Sequence, residues 1–577
     1  MKRLSAGPDR LVLLLSLVLS WSALSWAQSA DTVLLNGKIL TVDSQFSVRE
    51  ALAIREGKIA AVGSNAQIKK LQGPKSQVID LQGRTVIPGL IDNHMHAVRA
   101  ALTWKTEVNW IGASSLAEAL ARLHDAAQKA KPGEWLAVVT PPSTLDTFKE
   151  KRRPTQAELV AAAPNNPVYV QLSYGSAILT PLAFQTLNIK SDSDLPARTK
   201  LEKDDKGNLT GTVNGNMIGL YDRLPRPTFE QEVEGTKEFF RELNRLGLTG
   251  VVDPGGNNLR PEDYQAVFKV FRDHQMTIRM AYSASALAGD TEFQDFKNYL
   301  TLLPMGLGDN MLHFNGLGEK ITWAMQGITG QATPEQLDKY YEIVRWAAQR
   351  GLTVTMHWDS DKNVEQLLAT WERVNKEFPI ANLRWTIAHI NDASAATFQR
   401  MKAMGVGWTM QDEMWNSGDE VVKRRGADVA RRMPPAVTAK NIGIHISLGT
   451  DAHRVSTYNP FTVLQWALDG KTASGASVRG PEEAPSREDA LRYYTMGSAW
   501  TSFDEDKRGS LEAGKLADLA VLSQDYMTEP VEQIGQNASL LTIVGGKIVY
   551  AAGPYARLEQ KPEKQPVSER FSSTILH

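Results

Sequence analysis

From residue 30 onward the chain runs in short stretches where apolar and polar positions alternate. "DTVLLNGKILTV" and "AIREGKIAAVG" are broken by Asn-Gly and Glu-Gly, the pattern of β-hairpins. "SQVIDLQGRTVIPGL" continues the strands, and the far end repeats the texture in "GSLEAGKLADLAVLS" and "LLTIVGGKIVYAAG". Two β-rich ends predict one small β domain built from both termini, residues 31–87 and 501–558.

In the middle the apolar period lengthens. In "TPEQLDKYYEIVRWAAQRG", Thr333 stands as N-cap and Pro334 at the first helical position. Leu337, Tyr340, Tyr341, Val344 and Ala348 share one face, and Gly351 closes the helix. A strand "LTVTMHW" follows, then a helix over 363–378, a strand "LRWTIAHI", a helix over 394–404, a strand "VGWTMQ" and a last segment "IHISLGTDAH". Helix and strand in alternation are the rhythm of βα units and a parallel sheet. The fold class this predicts is α/β: a (β/α)8 TIM-type barrel over residues 88–500, with a doubly wound open sheet as the alternative. Residues 105–230 keep the rhythm less well, with Pro-rich turns, a helix over 115–130 and the strand "NPVYVQLS". They read as an inserted lid region after the first barrel strand.

Length, charge and cysteine usage narrow the picture. At 577 residues the chain exceeds one ordinary core, so a large domain with smaller ones is expected. Its 64 Lys and Arg balance 65 Asp and Glu, which offers no basic surface for a nucleic acid or an anionic membrane. With no cysteine, it can supply neither disulfides nor thiolate ligands, so any metal site has to use imidazoles and carboxylates. Residues 1–27 stand apart: Lys2, Arg3 and Arg10 precede the apolar "LVLLLSLVLSWSALSWA", and small Ser25 and Ala27 mark a cleavage site. This predicts a Sec-type signal peptide, no stable membrane span after its removal, and a periplasmic protein. The polar, Pro-containing tail, 559–577, reads as disordered.

Candidate chemistry begins in "VIPGLIDNHMHAV", residues 86–98. On an extended segment His94 and His96, two residues apart, point the same way and can reach one ion; Asp92 shares their parity. Three more groups end predicted strands: His357 in "LTVTMH", His389 in "RWTIAH" and Asp451 in "HISLGTD". In a barrel the carboxyl ends of the strands are where catalytic groups converge. Histidines and a carboxylate with no thiolate suit zinc and similar divalent ions.

On these motifs the sequence resembles the metal-dependent amidohydrolases, in the amidohydrolase-3 (YtcJ-like) branch. The resemblance runs from "LLNGKILTVD" and "REGKIAAVG" through "VIPGLIDNHMH" to "RGSLEAGKLADLAVLS" and "TIVGGKIVY". It implies that His94 and His96 are the ligand pair on the first barrel strand and that His357 and His389 are ligands on the fifth and sixth. It also implies that Asp451 binds metal and shuttles protons. The fourth-strand ligand is open between Glu319 and a carboxylated Lys320, in "HFNGLGEKITWAMQG"; neighbouring strand residues face opposite ways, so only one can enter the site, and Glu319, which bridges without a CO₂ adduct, is favoured. Gln411, His453 and Trp323 are candidates for substrate contact.

The reaction implied is hydrolysis of an amide, formamide or cyclic amide by metal-bound hydroxide, with Asp451 as general base and then acid. The metal is divalent, zinc first, as one ion or two. A deaminase or a lactone or ester hydrolase on the same site is the alternative, and a binding protein without catalysis is another. Trp323, Trp358, Trp408 and Trp415 suggest a small-molecule substrate with an apolar or aromatic group. A homo-oligomer stays open.

Overall fold

The computed structural model describes residues 29–559, apart from 173, 257–258, 324 and 326–329. The expected signal peptide and all but the first residue of the expected tail lie outside the described residues.

Two four-stranded parallel sheets form the centre. One orders Leu90–Asp92, Leu248–Asp253, Arg279–Ala284 and Leu312–Leu317; the other orders Thr355–Trp358, Thr386–His389, Gly407–Gln411 and Ile446–Gly449. A parallel bridge between Leu317 and Val354 joins them at one seam. At the other seam Asn93 N donates to Leu448 O at 3.4 Å and Asp451 N to His94 O at 2.8 Å. The result is a TIM-barrel-like α/β arrangement in which every strand points its carboxyl end to the same side. Leu248–Asp253, Leu312–Leu317 and Gly407–Gln411 are buried along their whole length. A parallel sheet covered on both faces has no wet side, so the polar His313, Asn315, Thr409 and Gln411 of these strands are buried along with their apolar neighbours.

Helices connect the strands as the pattern predicts. Pro334–Gln349 starts at Thr333, whose hydroxyl accepts from Gln336 N while the Gln336 side chain accepts from Thr333 N, a reciprocal cap. Val364–Glu377 and Ala395–Ala403 fall where the sequence predicts helices.

Both chain ends contribute to one six-stranded sheet, ordered Lys547–Ala551, Ser539–Val544, Leu519–Leu522, Thr85–Pro88, Lys38–Leu40, Val48–Arg49. The expected Glu56-Gly57 hairpin forms, with both residues at positive φ, 51° and 73°, as a tight two-residue β-turn requires. The expected Asn36-Gly37 hairpin does not. Ala30–Leu35 pairs with Ala51–Arg55 and Gln72–Asp80, whereas Lys38–Leu40 pairs in the other sheet with Val48–Arg49 and Thr85–Pro88. Asn36 N bonds Asn65 Oδ1 and its amide bonds Asp80, so the turn carries the chain from sheet to sheet. Leu34 and Ile39 then bury in one shared apolar cluster with Ile54, Val86, Leu519 and Ile543.

Between Leu90–Asp92 and the helix Phe229–Arg245 lies a five-stranded sheet of its own, spanning residues 136–214, with two separate apolar clusters. It reaches the central strands' side at Ser143, which bonds Asn416, and at Glu107, bridged to Ala137 and with its Oε2 3.3 Å from His453 Nε2.

Candidate metal centre

The candidate ligands gather at the carboxyl ends of the parallel strands. His94 and His96 follow Leu90–Asp92, Glu319 follows Leu312–Leu317, His357 and His389 lie in their strands' last residues, and Asp451 follows Ile446–Gly449. Glu319 sits between the imidazoles: its Oε2 is 3.1 Å from His94 Nε2, 3.3 Å from His357 Nδ1 and 3.7 Å from His389 Nε2. Its Oε1 is 3.3 Å from His96 Nε2. Asp451 Oδ1 closes the group at 3.0 Å from His96 Nε2 and 3.6 Å from His94 Nε2. Lys320 leaves in the other direction, with its Nζ 3.4 Å from the centre of the Trp323 ring.

The backbone that makes this convergence is tightly held. Asp92, fully buried, accepts from His94 N at 3.0 Å, Thr450 N at 3.2 Å and the Tyr494 hydroxyl at 2.8 Å. Burial pushes its carboxyl up to about 6, against those donors. It thereby pins the first ligand loop to the last. Two glycines allow the close approach. A Cβ on Gly449 would lie 2.2 Å from Asn93 Oδ1, and one on Gly318 would lie 1.7 Å from Pro254 O. His96 Nδ1 contacts Gly255 O at 2.5 Å, which orients the ring and leaves Nε2 for the centre.

The residues present fit a divalent cation. His94, His96 and Asp451 form one set of converging donor atoms, and His94, Glu319 and His389 form another, all within 4.8 Å of one another in each set. Four buried atoms there have no hydrogen-bond partner among the described residues: His94 Nδ1 and Nε2, His389 Nε2 and Asp451 Oδ1. Buried polar atoms are ordinarily paired, so this concentration calls for an electrophile. Electrostatics agree. Burial and Arg99 both oppose charge on His96, yet Glu319 and Asp451 carry its pKa up to about 10. Burial would raise Glu319, but the surrounding imidazoles hold it well below its usual range. Two carboxylates facing four imidazoles demand positive charge between them.

Gln411 is buried, with its Oε1 accepting from His389 N at 3.0 Å and its Nε2 donating to Asn93 at 3.3 Å. His453 is buried with Nε2 3.3 Å from Glu107 Oε2. Trp323 is 37% exposed and lies beside Lys320 rather than among the histidines. Sequence reasoning missed Asp412, whose carboxyl is 2.7 Å from Ser456 Oγ through both oxygens and is held well above its usual range by burial. It also missed Asp359, 2.8 Å from His357 Nε2. His357, Asp359, His389, Asp412, Asp451 and Ser456 border one cavity of about 180 Å³. Asp412 follows a predicted strand end directly, a signal that was present in "WTMQD".

The amidohydrolase family model matches residues 77–550. The chain belongs to that family. Membership makes it a hydrolase acting on carbon–nitrogen bonds. An N-substituted formamide deformylase of Arthrobacter pascens is 24% identical over 565 residues, covering 91% of this chain and 99% of that one. The putative amidohydrolase YtcJ of Bacillus subtilis is 23% identical over 543 residues, covering 89% and 98%. A solved structure of an uncharacterized metal-dependent hydrolase from Pyrococcus horikoshii shares the fold with a TM-score of 0.62 at 20% identity, covering 87% of this chain and 99% of that one. Among the described residues no helix is long and apolar enough to cross a membrane.

Proposed function

We propose that this amidohydrolase cleaves the C–N bond of an amide or formamide at a metal centre bridged by Glu319. The observation that carries the reading is Glu319 itself, whose two oxygens lie 3.1–3.7 Å from nitrogens of all four histidines. His94, His96 and Asp451 would hold one ion, and Glu319 with His389 and His357 would hold a second. Zinc suits this imidazole and carboxylate set. Lys320 is then an adjacent cation and not the bridge.

When bound, the metal polarises the substrate carbonyl and lowers the pKa of water towards ~7. The chain's own residues do the rest. Asp451 borders the cavity and takes a proton from the attacking water, then delivers it to the leaving nitrogen, so one carboxylate serves as base and acid. Gln411 fixes His389 through its backbone N–H, and Asp92 fixes the His94 loop to the Thr450 turn, which keeps donor atoms in place through turnover. Ser143 reaches Asn416 from the inserted region, which then acts as a lid that excludes water over the site.

The same reading includes a closed (β/α)8 barrel over 88–500, a β-sandwich from 31–87 and 501–558, and a lid within 105–230. It also includes export through a cleaved signal peptide, 1–27, to the periplasm; the basic head and apolar run of those residues support it.

Metal content per chain, measured by mass spectrometry on protein purified without chelator, tests the centre. Wild type is expected to hold about two ions per chain, Glu319→Ala to lose at least one, and Lys320→Ala to keep them. Loss on Lys320→Ala alone would transfer the bridge to a carboxylated lysine, and a metal-free wild type would overturn the catalytic reading.

A further inference from the structure

Glu107 stands where the chain passes from the helix Ala97–Thr103 into the inserted region. It is bridged to Ala137 of the inserted sheet, and Val108 N donates to Ala137 O at 2.8 Å. Its carboxylate reaches the loop after Ile446–Gly449: Oε2 is 3.3 Å from His453 Nε2, and Oε1 is 3.6 Å from Arg454 Nη2. All three side chains are buried, none more than 7% exposed. The Tyr221 hydroxyl, also from the inserted region, donates to Oε1 at 2.5 Å, and its ring centre lies 4.4 Å from the Arg454 guanidinium. Two residues beyond Glu107, the Asn109 amide donates to the Tyr458 hydroxyl at 2.8 Å. Burial works against charge on Glu107, but His453, Arg454 and Tyr221 keep its pKa below the usual range, so it stays an anion.

The loop so gripped is the one that carries Asp451, two residues before His453. Its first part is held by the other ligand loop: Thr450 N donates to Asp92 Oδ1 at 3.2 Å, Asp451 N to His94 O at 2.8 Å, and His96 N to Ala452 O at 3.1 Å. Its far end is tied at Ser456 to Asp412. Between them, the side chains of His453 and Arg454 turn to Glu107. Among the described residues Glu107 is the one hydrogen-bond partner of the His453 ring, whose Nδ1 has none. A buried ion pair often adds no net stability over a well-packed apolar contact of similar volume, so what this one contributes is direction. Asp451 depends on direction: its Oδ1 has to stand 3.0 Å from His96 Nε2 on left-handed backbone, and a displacement of ~1 Å can cost about 100-fold in rate.

We infer that Glu107 is a positioning residue for Asp451: acting through His453 and Arg454, it lets the inserted region hold the loop that carries the proton-transferring carboxylate. The inserted region then has a task beyond covering the site, because the geometry of proton transfer is complete only when that region is docked. The inference rests on the hydrolase reading above for the reaction that Asp451 serves.

Two readouts on metal-loaded full-length protein test it. The first is turnover of N-butylformamide and N-butylacetamide. Glu107→Ala is expected to lower kcat by about tenfold or more with KM within about twofold, as a displaced reacting group does. His453→Ala is expected to do the same, and the double variant to fall no further than either single one, because both cut one link. Losses that multiply in the double variant, or a lowered melting temperature with kcat unchanged, overturn the positioning role. The second readout needs no turnover: amide hydrogen exchange across residues 450–456, followed by mass spectrometry. Glu107→Ala is expected to speed it by about tenfold there and not in the strand Thr386–His389. Glu107→Gln keeps an acceptor for His453 but no charge; it is expected at about threefold in both readouts, and it decides alone if Glu107→Ala does not fold. Unchanged exchange across 450–456 with wild-type turnover intact overturns the link and leaves the hydrolase standing. Faster exchange with no turnover by wild type supports the link while the hydrolase reading falls.

Discussion

His389 and Asp451 hold left-handed backbone, with φ of 68° and 57°. For residues with a Cβ that conformation costs roughly 1–2 kcal/mol each. It survives because the neighbours over-determine it. Gln411 grips His389 N, Trp408 Nε1 donates to His389 O at 2.8 Å, and Asp451 N is bonded to His94 O. Strain of this kind collects where function fixes a side chain's direction. Asp451→Asn separates chemistry from strain, because asparagine tolerates the left-handed region almost uniquely well among residues with a side chain. It is expected to lower kcat by about 10²–10⁴-fold, the range of a lost general base, with an unchanged circular dichroism spectrum; kcat within threefold of wild type would remove Asp451 from the proton transfers. At this scale His94, His96, His357, His389 and Asp451 were legible, since each ends a strand-like run. The choice between Glu319 and Lys320 was not settled by spacing. It depends on the irregular backbone after Leu317, from which Glu319 reaches the imidazoles and Lys320 lies over Trp323.

Among the elements, the helices were the most readable, because caps and a long apolar face are local. Thr333→Ala removes one half of the reciprocal cap on Pro334–Gln349 and is expected to cost about 1 kcal/mol. A lowered denaturation midpoint with unchanged kcat is the expected result, and no shift would show that packing of Tyr340 and Val344 alone holds that helix start. Asn36-Gly37 shows the opposite case. Its dipeptide fits a hairpin, but whether two flanking strands pair with each other or with different sheets is set by distant partners, here Asp80, Asn65 and the apolar cluster around Leu34 and Ile39. The five-stranded sheet of 136–214 was seen only as a break in rhythm, because its strands mix parallel and antiparallel neighbours and give no single period.

For the whole molecule, one join between the terminal sheet and the centre is a buried ion pair. Arg279, in a central strand, donates to Asp518 at 2.6 and 2.9 Å, and Asp518 also accepts from Gly545 N at 2.7 Å. Asp518→Ala leaves the guanidinium buried without its partner and is expected to cost about 3–5 kcal/mol. Thermal denaturation checks it: a clearly lowered midpoint is expected, and one within a degree of wild type would show that the pair is not what ties the two parts together. By itself the sequence determined the alternation of helix and strand, the imidazole and carboxylate character of the site and the rim on which it lies, because periodicity, capping and strand ends are properties of neighbouring residues. Only the tertiary structure decided which carboxylate stands among the four histidines and where the Asn-Gly turn leads. Those depend on which distant groups come within a few ångströms, and contacts between residues hundreds apart leave no local pattern to read.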